Sequence, residues 1–386
     1  MRVSGRVPAV HGGDLDAIAR RYGVPRERLV DFSANLNALG PPPALVRELA
    51  MAAADLEELR RYPDPSATPL RTALGRILGV DAAAIVVSNG AAALLDAAVR
   101  VRRLTRCLLP QPAFSEDQRV LDAAGTAGYP LALDPADGFR LPGRRIVNLL
   151  RARTVDGCLL TNPHNPSGSL TPRPEMEQIV TVARAAGALT IVDEAFIDFA
   201  PGESVAEVAA QTPDTIVIRS LTKFFAVPAL RVGYAVCEPE LARALRAIIP
   251  PWPVTALALR ALTAVLDDVE YAERSRAQNI RERQHLKADL EGAGLRVFDS
   301  AANFLLCELP LEGVRAPELV SALVLNAGLV VRDCSSFEGL ANGRFIRVAV
   351  RARSDNERLA SAISHELTSR SPERRRSRAR RRFKAS

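Results

Sequence analysis

The chain has 386 residues, of which 48% are apolar and 25% are charged, a composition typical of a soluble globular protein with a large core. It excludes a mainly disordered chain, a collagen-like fibre and a small disulfide-bonded scaffold, and no uncharged apolar run reaches the ~18 residues of a membrane span. The net charge of +7 comes from the C-terminus, because residues 371–386 hold eight basic residues and one acid, and without them the chain holds 43 of each sign. We therefore expect a disordered basic tail on a neutral body, with neither nucleic acid nor membrane as a partner.

The N-terminus has no apolar segment of the kind found in secretory signals, which predicts a cytoplasmic protein. The five cysteines and four histidines lie far apart, without CxxC or HExxH spacing. These spacings predict neither a metal site nor a disulfide framework, and they do not favour a Ser-His-Asp triad. We therefore expect the chemistry to use a reactive group borrowed from a cofactor.

The first 45 residues contain one short helix, Leu15–Tyr22, and a loop, too little to fold alone, so we expect 1–45 to dock on the small domain. Residues 46–255 alternate short apolar strands with helices, which predicts a large α/β domain with a mostly parallel sheet covered by helices. The predicted strands are Ala84–Ser88, Cys107–Leu109, Gly157–Thr161, Leu189–Asp193, Thr215–Arg219 and Val232–Cys237. The predicted helices are Gly90–Val101, Ser115–Ala124 and Pro172–Ala186.

From Thr255 to Ala293 the pattern is helical, long enough for one bent helix or two. The rest indicates strand, strand, helix, strand, strand and helix, which predicts a smaller α+β domain over 256–370. Its strands are expected at Arg296–Phe298, Asn303–Glu308, Leu329–Arg332 and Phe345–Val350, with a final helix from Ser354 to about Leu367.

Polar residues follow the ends of the predicted parallel strands, where ligands bind in such folds. Asp193 ends a buried strand, and an acid there needs a cationic partner such as a protonated ring nitrogen, or else caps a helix or joins a buried ion pair. Lys223 follows another strand, after Ser220 and Thr222 and before Arg231. A lysine near cations and apolar walls can act as an amine nucleophile, and two hydroxyls with an arginine suit a phosphate, although a surface lysine is the plainer interpretation.

Three further segments favour a ligand at the same edge. Ser88–Ala92 joins a strand to a helix, so its backbone N–H groups form an anion site or an ordinary helix start. The loop Thr161–Gly168 offers the side-chain donors Asn162 and Asn165. Phe114 follows a strand and could stack on a flat ring or belong to the core.

Taken in order, these segments resemble the fold-type I pyridoxal 5'-phosphate (PLP) enzymes of the aspartate aminotransferase superfamily. The resemblance implies that Lys223 holds PLP as a Schiff base and that Asp193 pairs with the pyridinium nitrogen. It implies that Asn165 bonds the ring hydroxyl and Phe114 stacks on the ring. The cofactor phosphate is assigned to Gly90, Ala91, Ser220, Thr222 and Arg231.

The resemblance also implies a homodimer in which Tyr62, in the segment RRYPDP, reaches the cofactor of the partner subunit. Two branches of the superfamily are similar to this chain, the histidinol-phosphate aminotransferases and the L-threonine O-3-phosphate decarboxylases. The second matches along nearly the whole length, including His11–Gly13, Asp31–Leu39 and Val331–Leu340. Phe196, among the predicted cofactor contacts, stands where most aminotransferases of the superfamily carry a tyrosine.

The decarboxylase branch implies a phosphorylated amino-acid substrate, L-threonine O-3-phosphate, converted to 1-amino-2-propanol O-2-phosphate for cobalamin biosynthesis. By resemblance Arg347 faces the substrate α-carboxylate, although both it and Arg332 could instead form surface ion pairs. The substrate phosphate is assigned to Arg332 and to the loop of His11, Gly12 and Gly13, with Asn35 beside them. A histidinol-phosphate or related class I/II aminotransferase and a non-catalytic PLP-binding protein stay open.

Some residues depart from the decarboxylase pattern. Ala38 replaces the usual proline, and Asp14 replaces an asparagine, which is an equally good helix cap. Ala91-Ala92-Ala93 replaces a polar stretch that contains an acid, so a side-chain contact is lost while backbone donors remain. These departures concern the substrate more than the cofactor.

Overall fold

A computed structural model of the chain describes residues 12–369. The predicted substrate residue His11 and the predicted basic tail 371–386 lie outside the described residues, and their roles stay predictions. Within the described part of the chain, no helix is both long and apolar enough to cross a membrane. The expected cytoplasmic location is not tested by this finding.

A seven-stranded sheet forms the centre of the larger part of the molecule, in the order β2-β8-β7-β6-β5-β3-β4. All its strands run parallel except β8, which is antiparallel to both β2 and β7. The strands are β2 Ile85–Asn89, β3 Arg106–Gln111, β4 Ala127–Ala132, β5 Gly157–Thr161, β6 Leu189–Asp193, β7 Thr215–Ser220 and β8 Val232–Cys237. The mostly parallel sheet that the sequence predicts is therefore confirmed, with β4 as an additional edge strand.

Helices cover both faces of this sheet, so its inner strands carry apolar side chains on both faces. Neighbouring residues such as Ile191 and Val192 belong to different hydrophobic clusters, as expected when side chains alternate across a sheet. One cluster contains α5 Gly90–Val101, α6 Ser115–Ala124 and α11 Pro239–Ile248. The other contains α2 Pro43–Ala54, α4 Thr68–Leu78, α7 Gly143–Arg151, α8 Arg173–Ala186, α9 Ala206–Gln211, α10 Leu221–Phe224 and α12 Ala256–Thr263.

A four-stranded antiparallel sheet in the order β12-β13-β10-β9 forms the smaller part. Its strands are β9 Arg296–Val297, β10 Phe304–Glu308, β12 Arg332–Asp333 and β13 Phe345–Ala349. Residues of α13 Val269–Gly292, α14 Ala316–Ala322 and α15 Arg353–Ser369 pack with these strands in one further cluster. The two-helix alternative for 255–293 is the correct one, since α12 ends at Thr263 and Asp268 caps α13 by accepting from the Tyr271 N–H.

The predicted single strand Leu329–Arg332 is wrong, because the chain changes sheet within it. β11, Leu329–Val330, pairs in parallel with β1, Val30–Asp31, of the N-terminal segment. β12 begins at Arg332 and pairs with β13 instead. A run of apolar residues does not reveal which partner each residue finds.

The N-terminal segment contacts both parts of the molecule. Besides the β1–β11 pair, the Asn37 side chain donates to the Phe224 carbonyl at 2.8 Å and to Ser275 Oγ at 2.8 Å. Of two further α-helices, α1, Leu15–Tyr22, lies in the N-terminal segment, and α3, Leu56–Arg60, follows α2 in the chain. The predicted domain boundaries stay predictions, although α12, placed in the small domain from the sequence, shares the core of the large sheet.

Two glycines that end helices with similar backbone angles allow a test of the β1–β11 junction. Gly187 has φ 73° and open space around an added Cβ, whereas Gly328 has φ 67° and an added Cβ would lie 2.3 Å from the Arg28 carbonyl oxygen. We expect Gly187→Ala to lower the free energy of unfolding by about 1 kcal/mol and Gly328→Ala by at least about 2 kcal/mol. Urea unfolding of both variants measures the difference, and equal losses would contradict a tight junction.

Candidate active site

A cavity of about 440 Å³ lies at the carboxyl ends of the large-sheet strands, closed on one side by the N-terminal segment and by β13. Its lining includes thirteen of the residues predicted from the sequence: Gly12, Asn35, Gly90, Ala91, Phe114, Asn165, Asp193, Phe196, Ser220, Thr222, Lys223, Arg231 and Arg347. These residues come from segments more than 300 positions apart in the chain. The structure thus brings most of the predicted constellation together in one place.

Lys223 lies in the short helix α10 immediately after β7 and lines the cavity. The sequence contains only three lysines, of which Lys384 lies outside the described residues and Lys287 forms ion pairs with Glu291 and Asp299. Burial, together with the positive charges of Arg347 and Arg231, lowers the pKa of Lys223 to about 8, while Asp193 opposes the shift. A much larger fraction of this amine is neutral near pH 7 than for an ordinary lysine, as a nucleophilic amine requires.

Asp193 ends β6, the strand next to β7, and is buried in the cavity wall. Its Oδ1 accepts the Ala195 N–H at 2.9 Å. Burial raises the pKa of Asp193 to about 6, and the Ala195 hydrogen bond and the charge of Lys223 act in the opposite direction. A cation placed against this carboxylate would offset the cost of its burial.

The cavity floor at Gly90 is shaped to receive an anion. Gly90 has φ 76°, and an added Cβ there would lie 2.8 Å from Arg231 Nη2, so the guanidinium lies close over the glycine backbone. The Ser220 and Thr222 hydroxyls are 2.8 Å apart and line the cavity, and Ser220 is the register partner of Gly233, where an added Cβ would lie 2.7 Å from the Gly90 carbonyl carbon. A guanidinium, two hydroxyls and the start of helix α5 therefore converge on one space.

The loop after β5 is held rigidly and presents Asn165 to the cavity. Asn162 does not line the cavity, because its side chain closes the loop through two hydrogen bonds with the Thr171 backbone. His164 joins Ser167 Oγ at 2.7 Å and the Pro112 carbonyl at 2.8 Å, and burial lowers the pKa of His164 to about 4, so it is neutral at pH 7. The predicted role of Asn162 as a ligand donor is thus replaced by a structural one.

Arg347 on β13 forms the opposite wall. Its Nη1 donates to Asn165 Oδ1 at 2.5 Å and its Nη2 donates to the Ser33 carbonyl at 3.2 Å. Its buried Nε has no hydrogen-bond partner among the described residues. Burial lowers the pKa of Arg347 to about 10, because the charged guanidinium has lost its water and little negative charge nearby replaces it.

Two phenylalanines complete the predicted cofactor contacts. Phe196 packs edge to face on Phe304 with ring centroids 5.0 Å apart, and the guanidinium of Arg347 lies 5.2 Å from the Phe304 ring. Phe114 precedes α6 and lines the cavity from the large sheet. The position of Phe196 carries no hydroxyl, so this part of the wall is apolar.

Besides Asn162, three predicted residues do not line the cavity. Gly13 lies just behind the wall and donates its N–H to Ser33 Oγ at 3.0 Å. Arg332 is buried and donates to Ser336 Oγ at 2.7 Å, on the strand that pairs with the strand of Arg347. Tyr62 is 79% exposed and stacks on Trp252 with ring centroids 4.7 Å apart.

Two polar residues of the cavity wall escaped sequence reasoning. The Ser33 carbonyl accepts a hydrogen bond from Arg347. Glu116, in the first turn of α6, lines the cavity and forms an ion pair with Arg119 Nε at 2.5 Å. The sequence did offer a reason to consider Glu116, because it comes two residues after Phe114, which follows a strand. Ser33 had no local signal, because its role depends on β13.

Comparison with known proteins agrees with this geometry. Residues 27–365 match the family model "Aminotransferase class I and II". The chain belongs to this family.

Individual members of the family are similar to the chain over most of its length. A threonine-phosphate decarboxylase from Salmonella typhimurium is 33% identical over 372 residues, 94% of this chain and 98% of the relative. A histidinol-phosphate aminotransferase from Methanosarcina mazei is 32% identical over 358 residues, 92% of each chain. A solved histidinol-phosphate aminotransferase from Sinorhizobium meliloti, in complex with pyridoxal-5'-phosphate, superposes with a TM-score of 0.81 at 23% identity, over 95% of this chain and 99% of that one.

The lowered pKa of Lys223 can be measured, because so few lysines compete for a label. We expect the rate of amine acylation at Lys223, followed by mass spectrometry against pH, to rise with a midpoint near 8 rather than near the ordinary 10.5. Arg347→Gln removes one of the charges that lower this pKa, so its midpoint should move upward. A wild-type midpoint near 10.5, or an unchanged midpoint in Arg347→Gln, would contradict the electrostatic account.

Proposed function

We propose that this member of the class I and II aminotransferase family is a PLP-dependent decarboxylase of L-threonine O-3-phosphate, giving 1-amino-2-propanol O-2-phosphate and carbon dioxide. The assignment of the substrate rests on two buried arginines that lie side by side, Arg332 and Arg347. They are direct partners in the register of β12 and β13. The product would serve cobalamin biosynthesis.

The residues of the cavity fit PLP. Lys223 would hold the aldehyde carbon, Asp193 the ring nitrogen, and Asn165 the ring hydroxyl. The space between the Gly90 backbone and Arg231, which a Cβ would fill, suits the cofactor phosphate, with Ser220 and Thr222 beside it. When bound, PLP supplies an electron sink that allows a bond at the substrate Cα to break.

The two arginines require an anionic ligand on electrostatic grounds. Among residues 12–369, neither guanidinium has a carboxylate within ion-pair distance, and each side chain is only 7% exposed. Like charges directly opposite on paired strands destabilise a sheet, and buried unpaired cations are costly. L-Threonine O-3-phosphate carries a carboxylate and a phosphate in one molecule, so it would neutralise both, with Arg347 facing the carboxylate and Arg332 the phosphate.

The chain's own residues have defined tasks in such a reaction. Arg347, fixed by Asn165 and Ser33, would orient the carboxylate, and its apolar neighbours Phe196 and Phe304 would exclude water from the breaking bond. Asp193 would keep the proton on the ring nitrogen. The amine of Lys223, with a pKa near 8, would return a proton to Cα after carbon dioxide leaves.

A histidinol-phosphate aminotransferase is the second candidate, favoured by a particular observation. Two hydrogen bonds hold Arg347 firmly, and a firm clamp on a carboxylate stabilises that group in place and favours loss of the Cα proton instead. The same cofactor contacts serve both reactions. The substrate's orientation therefore decides between them.

A paired assay of the PLP-loaded protein distinguishes the two reactions. We expect carbon dioxide release from L-threonine O-3-phosphate, and no glutamate from histidinol phosphate with 2-oxoglutarate. Lys223→Ala should abolish the activity and the absorbance band of the lysine–PLP link. Glutamate formation without carbon dioxide release would replace the proposal by the aminotransferase, and an unchanged band in Lys223→Ala would remove the catalytic role of that lysine.

We further propose that the chain acts as a homodimer in which Tyr62 contacts the cofactor phosphate of the partner subunit. Tyr62 and Trp252 form an exposed aromatic pair, and further large apolar side chains are exposed on the nearby helices: Val46, Met51, Leu56 and Leu59. Exposed apolar surface of this extent is typical of a protein interface. Among residues 12–369, no tyrosine lines the cavity of a single subunit.

Mixing two inactive variants tests this dimer. Lys223→Ala and Tyr62→Ala subunits would form a mixed dimer in which one site lacks both residues and the other is intact. Random exchange then restores up to about a quarter of wild-type activity, because half the dimers are mixed and each has one intact site. Neither variant alone should show this activity, and a mixture that stays inactive despite subunit exchange in ultracentrifugation would contradict a shared site.

A further inference from the structure

A second polar cleft lies at the junction of the two parts of the molecule, and we call it the junction cleft. It has a volume of about 680 Å³ and shares no lining residue with the active-site cavity. The large part contributes the loops 136–140 and 168–170, and the small part contributes Arg283 of α13 and the segment 296–301. It is therefore a separate space bounded by segments from both parts.

Positive charge predominates among the side chains of the junction cleft, which include Arg140, Arg283 and Arg296. Within residues 12–369, neither Arg140 nor Arg283 has a carboxylate within ion-pair distance, and the Arg283 guanidinium donates to the Ala302 carbonyl at 2.8 Å. Arg296 pairs with Glu308 at 3.4 Å and donates to the Pro135 carbonyl at 2.9 Å. The lining also contains two acids, Asp137 and Asp299, so three cations face two carboxylates, and Asp299 is already paired with Lys287.

One neutral donor adds to these charges. Ser300 Oγ accepts the Ala302 N–H at 3.0 Å, which leaves its own hydrogen free to point into the cleft. Ser169 lies on the opposite side, and its hydroxyl hydrogen is already donated to the Phe139 carbonyl at 3.0 Å. Burial lowers the pKa of Arg283, and the negative charge of Asp299 opposes the shift only in part.

We propose that the junction cleft is a second ligand site, which binds a small dianion of the dicarboxylate or phosphate class between Arg140 on one side and Arg283 with Arg296 on the other. Guanidinium groups bind both kinds of anion through paired, charge-assisted hydrogen bonds. A dianion is favoured over a monoanion because cations approach from both sides. The site does not depend on the reaction proposed for the active-site cavity.

The junction cleft is connected to the active-site cavity through backbone contacts. Gly168 has φ 79°, and an added Cβ would lie 2.1 Å from Ser300 Oγ, so the two loops touch without room for a side chain. The Ala301 N–H also donates to the Gly168 carbonyl at 2.9 Å. The first loop carries Asn165 and the second leads into Phe304, so a ligand that joins them would stabilise the wall around Arg347.

Isothermal titration of the full-length, PLP-loaded protein with succinate and, separately, with inorganic phosphate tests the site. We expect binding of at least one probe at low millimolar concentration or tighter, and about tenfold weaker binding in Arg140→Gln and in Arg283→Gln. Arg144→Gln, which removes the same charge outside the cleft lining, should bind like the wild type. Binding of one probe alone supports the proposal and identifies which class of anion the site prefers.

Two controls separate this site from the active-site cavity and from misfolding. Arg347→Gln should retain the binding, because that residue does not line the junction cleft. Arg140→Gln changes an exposed side chain, so it tests the site even where Arg283→Gln fails to fold. The proposal is overturned where neither probe binds, where Arg140→Gln binds as tightly as the wild type, or where Arg347→Gln alone abolishes binding.

Discussion

Burial of charge at the carboxyl edge of the large sheet is the constraint on which the active site depends. Asp193 and Lys223 follow neighbouring parallel strands, so both reach the same edge and both lose water there. The loss moves the pKa of the acid up to about 6 and that of the amine down to about 8. Both groups therefore change charge close to neutral pH, where proton transfer costs little free energy.

The arginines act on this pair from two directions. Arg231, close over the Gly90 backbone, and Arg347, from the small sheet, both favour the neutral form of Lys223. They are also the cations available to anionic groups of cofactor and substrate. In the function we propose, the same charges would favour the neutral amine before a ligand binds and would hold the ligand afterwards, which would tie reactivity to binding.

The cavity wall around Arg347 is built from three distant parts of the chain. Arg347 from β13 bonds Asn165 from the large part and Ser33 from the N-terminal segment. The parallel pair of β1 and β11 fixes that segment against the small part, and Asn37 fixes it against α10. A disturbance of the N-terminal segment would therefore reach the active site without touching a catalytic group.

Local sequence determined much of this protein. The strands β5, β6 and β8 and the helices α5 and α6 have the predicted bounds. Their signals, a continuous apolar run or a helical period, lie in consecutive residues. The residue types of the site could also be predicted, since polar groups at strand ends and a family resemblance both pointed to them. The edge strand β4, half exposed and containing Pro130, gave no such run. Only the tertiary structure decided that Leu329–Arg332 divides between two sheets, that Ser33 supports Arg347, and that Arg332 opposes Arg347 while pointing to Ser336. These features depend on register and on packing between distant segments, and no local pattern encodes such distances.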